Sequence, residues 1–209
     1  MAENGPAPGK TALIIIDMLS RLGFDEGEAM RPAAEAAARR IAALRQRADA
    51  AGVPTVYVND NNGHWHSERS QLVAACLEPE SRGAGMARLL EPRNHDYFVI
   101  KPKFSGFYAT NLPVVLPQMG VNRLILTGIA ADICVLFTAA DAHMRDYGLW
   151  VPGDAVASHD EQRKDWALEI MAHSMDADTR PTDELTLADW IAQGEEVGRS
   201  SAEWVVSGR

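Results

Sequence analysis

Cysteine is nearly absent from this chain: its 209 residues hold two, Cys76 and Cys134. Two thiols make no disulfide framework, so a reducing, cytoplasmic setting is the expectation. Basic residues are also short, 20 Lys and Arg against 29 Asp and Glu, for a net charge of −9. That balance argues against nucleic acid or an anionic membrane surface as a partner. No apolar run approaches the ~18 residues of a membrane span. The opening stretch MAENGPAPGK lacks the apolar centre of a signal peptide. Nor is there an internal repeat, a low-complexity tract or a linker. A dinucleotide needs a glycine-rich loop for close backbone approach. None follows the first apolar run, which continues MLSRLGFDEGEAM. What is left has ordinary globular composition, 46% hydrophobic and 23% charged. Its length suits one domain over 1–209, with residues 1–10 and the tail from about 194 peripheral.

The most informative stretch is 121–151, VNRLILTGIAADICVLFTAADAHMRDYGLWV. Residues 123–127 form a short continuous apolar run ended by Gly128, as expected of a strand covered on both faces. A helical run follows. It holds Cys134 in its first turn or two and reaches about Tyr147, with Gly148 as its stop. Apolar, β-branched runs at 11–16 and 53–58, and a shorter one at 97–100, predict three more strands. Between the first two lies an alanine-rich helix, 31–51, with Ile41, Leu44 and Ala48 at helical spacing. Residues 149–151 and 177–179 are read as a fifth and a sixth strand. Residues 161–175 are read as a helix with Trp166 and Ile170 on one side, and 182–193 as a last helix. Strands alternating with helices specify an α/β fold: a three-layer α/β/α sandwich around a mostly parallel, about six-stranded, doubly wound sheet.

In such a sheet the carboxyl ends of the strands share one edge, and ligands bind there. Asp17 follows the first strand, Lys101 the third and Cys134 the fourth. If the first strand lies beside the fourth, a carboxylate, an ammonium and a thiol converge. The thiolate is the nucleophilic form. Asp17 can take the thiol proton, while Lys101 and the helix N-terminus favour the negative charge. Backbone N–H groups at the helix start can hold an oxyanion. Together these are the parts of an acyl-transfer site. The balance of charges places the thiol in the upper part of the roughly 3.5–7.5 range of activated cysteines, or leaves a proton shared between Asp17 and Cys134 whose titration belongs to the pair. No histidine stands at a strand end beside Cys134, so a Cys–His pair is not the reading. The polar and aromatic stretch 59–67, with Asn59, Asn62 and Trp65, is expected to line or cover the pocket together with Phe104 and Phe107.

Four segments in order, IIIDM, VIKPKFSGFYAT, LILTGIAADICVLFTAADAHMRDYG and VPGDAVAS, resemble the isochorismatase-like cysteine hydrolases. That superfamily includes nicotinamidases and N-carbamoylsarcosine amidohydrolase, and the resemblance runs over about 11–175. It implies a Rossmann-like hydrolase fold with Cys134 as nucleophile, Asp17 as general base and Lys101 as third member of a triad. The family pattern Lys-x-x-aromatic-Ser fits Lys101, Phe104 and Ser105, with Lys103 the alternative. The resemblance further implies a cis peptide between Ile129 and Ala130, and an oxyanion hole from the Ala130 and Cys134 N–H groups. Asp132 is read as a helix-start cap, and Asp141, His143 and Asp154 as structural matches.

Nicotinamidases carry a metal site on an Asp-x-His pattern after the second strand. This chain has Asp60-Asn61-Asn62 there, with His64 and His66 at another spacing. An amide is a poor ligand beside an imidazole, so no metal and no cofactor are expected. The implied activity is cleavage of a small-molecule amide or ureido substrate through a Cys134 thioester, in a homodimer or higher homo-oligomer. The alternatives are an isochorismatase-type C–O hydrolase, a class that generally lacks the cysteine, and a catalytically silent binding protein on the same fold.

Overall fold

A computed structural model of the protein describes residues 10–61 and 68–194. Asn62, His64, Trp65 and His66 lie outside the described residues. The sheet is built from β1 (Lys10–Ile16), β2 (Thr55–Asp60), β3 (Tyr97–Lys101), β4 (Val121–Ile129), β5 (Gly148–Trp150) and β6 (Val156–Ala157). Its order is β3-β2-β1-β4-β5, with β6 paired to the far end of β4, and every pairing is parallel. The helices are α1 (Gly27–Ala50), α2 (Arg69–Leu77), α3 (Ala84–Leu89), α4 (Leu112–Gln118), α5 (Leu136–His143) and α6 (Glu161–Met175). Residues 187–194 are also helical. Among the described residues no helix is long and apolar enough to cross a membrane.

Alternation along the strands sends successive side chains to opposite faces. Leu13 and Ile15 of β1 pack with Tyr57, Ile125 and the α1 residues Ile41 and Leu44. Ile14 and Ile16 pack on the other face with Val58, Leu126, Leu116 of α4, Ala139 of α5 and Met171 of α6. Both faces are therefore covered, which is why β1 reads as an unbroken apolar run. The connections from β1 and from β4 leave to opposite sides, and that puts a crevice between the ends of these two neighbouring strands.

Several elements differ from the sequence reading. β2 continues through Asn59 and Asp60, which the sequence placed in a loop. The pairing that makes a sixth strand comes from Val156–Ala157. Residues 177–179 make only a single bridge, Trp150 to Asp178. The helix after β4 ends at His143, not near Tyr147. The chain reverses through Asp146 at φ 61°, and Gly148 is the first residue of β5. In α6 the inward face is Ala167 and Met171, whereas Trp166 and Ile170 are exposed. The small Ala167 lets that helix lie close to its neighbours. The segment 181–185 forms turns, so Asp183 and Glu184 precede the last helix instead of opening it.

Gly128 is where β4 most needs a glycine. Its φ is 116°, and a Cβ there would lie 2.0 Å from the Ile16 carbonyl oxygen on β1. Gly128→Ala is expected to destabilise the fold by about 3 kcal/mol or more, since backbone strain and a clash with a central strand add. Gly120, at φ 70° with its nearest neighbour a lysine side-chain carbon at 3.5 Å, should cost only about 1–2 kcal/mol on the same change. Urea unfolding of the two variants checks the order.

Candidate active site

Asp17 sits one residue past β1 at φ 52°, its N–H bonded to the Val58 carbonyl at 3.0 Å. That left-handed turn swings the carboxylate over the sheet edge. Its Oδ1 accepts the Asp60 N–H at 2.6 Å, and its Oδ2 lies 2.8 Å from Lys101 Nζ. Lys101 ends β3, two strand spacings or about 10 Å from β1. Only a long side chain crosses that gap. It does so fully buried, beneath the pocket floor. Its ammonium also reaches the Lys103 carbonyl oxygen at 3.1 Å, Asp60 Oδ2 at 3.4 Å and Cys134 Sγ at 3.4 Å. Lys103 contributes only that carbonyl; its side chain points outward and is exposed.

Cys134 lies in a π-helical turn, Ala131–Val135, that runs into α5. The Ala130 carbonyl accepts from both Ile133 and Val135, each at 3.1 Å. The wider turn follows a cis peptide between Ile129 and Ala130. Thr138 locks this turn to the Lys101 loop. Its hydroxyl donates to the Cys134 carbonyl at 2.6 Å and accepts the Gly106 N–H at 3.0 Å. Ser105 donates to Asp141, which also takes Arg145. Asp154 holds the Thr182 N–H at 2.9 Å and hydroxyl at 2.6 Å, while His143 is exposed at the end of α5. Asp132, at the start of the turn, accepts the Ser158 hydroxyl and Arg163 Nε, each at 2.6 Å. Burial pushes its carboxyl up, but these two bonds outweigh that and hold it below the usual carboxylate range.

The thiol opens onto a cavity of about 550 Å³. One wall carries Leu19, Ser20, Phe24 and Glu26 from the segment joining β1 to α1, with Met30 from the first turns of α1. The facing wall carries Ile133, His159 and Arg163, and Asn59, Asp60 and Phe104 close a third side. Asn59 does more than line this space. Its side chain accepts the Leu19 N–H at 3.2 Å and donates to the Leu19 carbonyl at 2.9 Å, which clamps the first wall in place. Phe107 is not a pocket residue. It is 3% exposed and packs on Tyr147 in the core, because the turn at Gly106 directs it inward. The sequence reading missed the Leu19–Met30 wall and Arg163. The apolar spacing of Leu19, Phe24 and Met30 gives no local signal, and Arg163 reads as one more charge on a solvated helix. Among the described residues no three His, Cys, Asp or Glu side chains are grouped to hold a metal ion.

A model of the isochorismatase domain matches residues 11–183. The chain belongs to the isochorismatase family. An uncharacterized isochorismatase family protein, YaaI of Bacillus subtilis, is 36% identical over 167 residues, covering 80% of this chain and 91% of its own. The ureidoacrylate amidohydrolase RutB of Serratia proteamaculans is 31% identical over 180 residues, covering 71% and 70%. Among solved structures, N-carbamoylsarcosine amidase from Thermoplasma acidophilum superposes with a TM-score of 0.65 at 29% identity, over 85% of this chain and 99% of that one. The protein is thus an isochorismatase-family hydrolase with the family's α/β fold.

The electrostatics of this family member depart from the sequence expectation of an acidic thiol. Burial first, and then the Asp17 charge, push the Cys134 thiol up to about 12 against the pull of Lys101. Burial likewise raises the Asp17 carboxyl above its ordinary value, although Lys101 and bonds from Cys134 and the Asp60 N–H oppose it. Burial works against the Lys101 charge, but Asp17 and Cys134 outweigh it and raise its pKa. The resting thiol therefore keeps its proton and donates it to Asp17, and the two titrate as a pair. Removing the Asp17 charge should lower the thiol pKa. Asp17→Asn is expected to speed iodoacetamide alkylation of Cys134 at pH 8 at least tenfold, read by mass spectrometry. Slower alkylation in the variant would mean that Asp17 does not oppose the thiolate.

Proposed function

We propose that this hydrolase cleaves a C–N bond of a small amide or ureido substrate by way of a Cys134 thioester. The observation that carries the reading is the convergence of Asp17, Lys101 and Cys134 beneath one 550 Å³ cavity. Two amidohydrolases among its relatives, RutB and N-carbamoylsarcosine amidase, support the reaction class.

The buried thiol is a poor acid, so the proton has to move to Asp17 as the sulfur attacks the carbonyl carbon. No free thiolate need accumulate. Lys101 stays protonated and offsets the negative charge on whichever of the two groups carries it. The carbonyl oxygen gains charge as the C–S bond forms, and the Ala130 and Cys134 N–H groups serve as the oxyanion donors. Asp17 then returns its proton to the departing nitrogen, which leaves as ammonia or an amine. In the second half Asp17 takes a proton from water, the hydroxide oxygen attacks the thioester, and sulfur leaves with that proton. Acid and free thiol result. A vinyl-ether cleavage offers no step for a thiol placed in this way.

A panel of small amides and ureides, scored for ammonia or amine release, tests the proposal. Wild type should turn over at least one member, and Cys134→Ala, which folds because alanine fits the same space, should turn over none. An acyl adduct on Cys134 should be seen by mass spectrometry in acid-quenched wild type. Activity retained by the pure alanine variant would remove the thiol from the reaction.

The two lysines separate as well. Lys101→Ala should lower kcat/KM at least a hundredfold, on the order of what a positioned proton-transfer or charge partner contributes. Lys103→Ala should stay within about threefold, since it meets Lys101 through its backbone carbonyl, which the substitution keeps. Steady-state kinetics on the best panel substrate decides the order, and the reverse order would reassign the cation.

A further inference from the structure

The charged cluster has a fourth member. Asp60 is the last residue of β2 and is paired in register with Lys101 on β3, so the two side chains leave the sheet side by side. An ammonium has three N–H groups. Lys101 Nζ has four acceptors around it: Asp17 Oδ2 at 2.8 Å, the Lys103 carbonyl at 3.1 Å, and Asp60 Oδ2 and Cys134 Sγ both at 3.4 Å. The two short contacts occupy two of the N–H groups. The third is left between a carboxylate and a sulfur at equal distance. Charge-assisted bonds to a carboxylate are the stronger when the sulfur is a neutral thiol, and the balance reverses when the sulfur is an anion.

We propose that Asp60 is a positioning residue for the hydrolytic reaction, competing with Cys134 for the third N–H of Lys101. While the sulfur is a thiol or a thioester, the ammonium turns toward Asp60. When sulfur charge develops, the same N–H swings to Sγ. Asp60 thus holds the cation in reserve, and adds to what burial and Asp17 do to keep the resting cysteine protonated. Its backbone N–H separately fixes Asp17 through the 2.6 Å bond, a contact that no side-chain substitution removes. The other charged or titratable groups around Cys134 are already committed or lie farther along the wall. Asp17 comes from the end of β1. Asp132, on the same turn as Cys134, is closed off by Ser158 and by Arg163 of α6. His159 and Glu26 line the cavity from opposite sides. Among the described residues only Asp17 and Asp60 place a carboxylate on Lys101.

The inference rests on the proposed role of the thiol, but its test needs no substrate, so the two can fail separately. The pH dependence of iodoacetamide alkylation at Cys134 is followed by mass spectrometry in wild type, Asp60→Asn, Asp60→Glu and Glu26→Gln. Asp60→Asn is isosteric and should alkylate on the order of tenfold faster at pH 8, its profile displaced by about one unit toward lower pH. Asp60→Glu keeps a carboxylate for Lys101 and should restore most of the wild-type profile. Glu26→Gln removes a pocket charge that does not touch Lys101 and should change the rate less than threefold. An undisplaced profile in Asp60→Asn overturns the proposal. So does an equal displacement in Glu26→Gln, which would mark a general field effect. Should Asp60→Asn fail to fold, Asp60→Ser takes its place, a displaced profile supporting the proposal and an undisplaced one overturning it.

Discussion

The Lys101 ammonium is wholly shielded from solvent, and a charge in that position has to be met by acceptors or be lost. Asp17, Asp60, the Lys103 carbonyl and the Cys134 sulfur meet it. Each comes from a different part of the chain: the ends of β1 and β2, the turn after β3 and the π-helical turn after β4. The parallel sheet is what brings them to one edge. Truncating Lys101 would leave the buried Asp17 carboxylate without its cation at the floor of the cavity, and breaking a buried pair in this way costs several kcal/mol. Charge pairing at the site and stability of the sheet edge are consequently one problem.

That dependence shapes the chemistry. A thiol pushed up to about 12 is unlike the acidic cysteines of helix N-termini. It gains protection from adventitious alkylation and oxidation at neutral pH. It gives up a standing population of thiolate, so under the proposed mechanism proton transfer to Asp17 accompanies bond formation. Burial supplies the first property, and the short path to the carboxylate supplies the second.

Much of this was readable from sequence because it rests on local patterns. Apolar runs within β1 and β4 identify buried parallel strands, and residues at or soon after the carboxyl ends of such strands emerge at the ligand edge. Asp17, Lys101 and Cys134 followed from that rule and from the ordered family motifs. The thiol pKa did not, since desolvation depends on how deep the sulfur lies and not on which charges neighbour it. Phe107 was misplaced because one turn at Gly106 decides whether an aromatic faces pocket or core. The wall from Leu19 to Met30 was invisible because Asn59 holds it across 40 positions of sequence. Asp60 was assigned to a loop because its polarity hid a last strand residue.

Among the described residues β3 is the outermost strand on its side of the sheet, bonded to β2 along one flank. Edge strands open more readily than central ones, at free energies below that of global unfolding. The cation of the site rides on this strand, while the carboxylate and the sulfur ride on the two central ones. Partial opening at that margin withdraws the positive charge and leaves Asp17 and Cys134 in place without the cation that offsets charge on either. The charged cluster is therefore less durable than the core beneath it, and heat or denaturant would take it apart while most of the molecule is still folded.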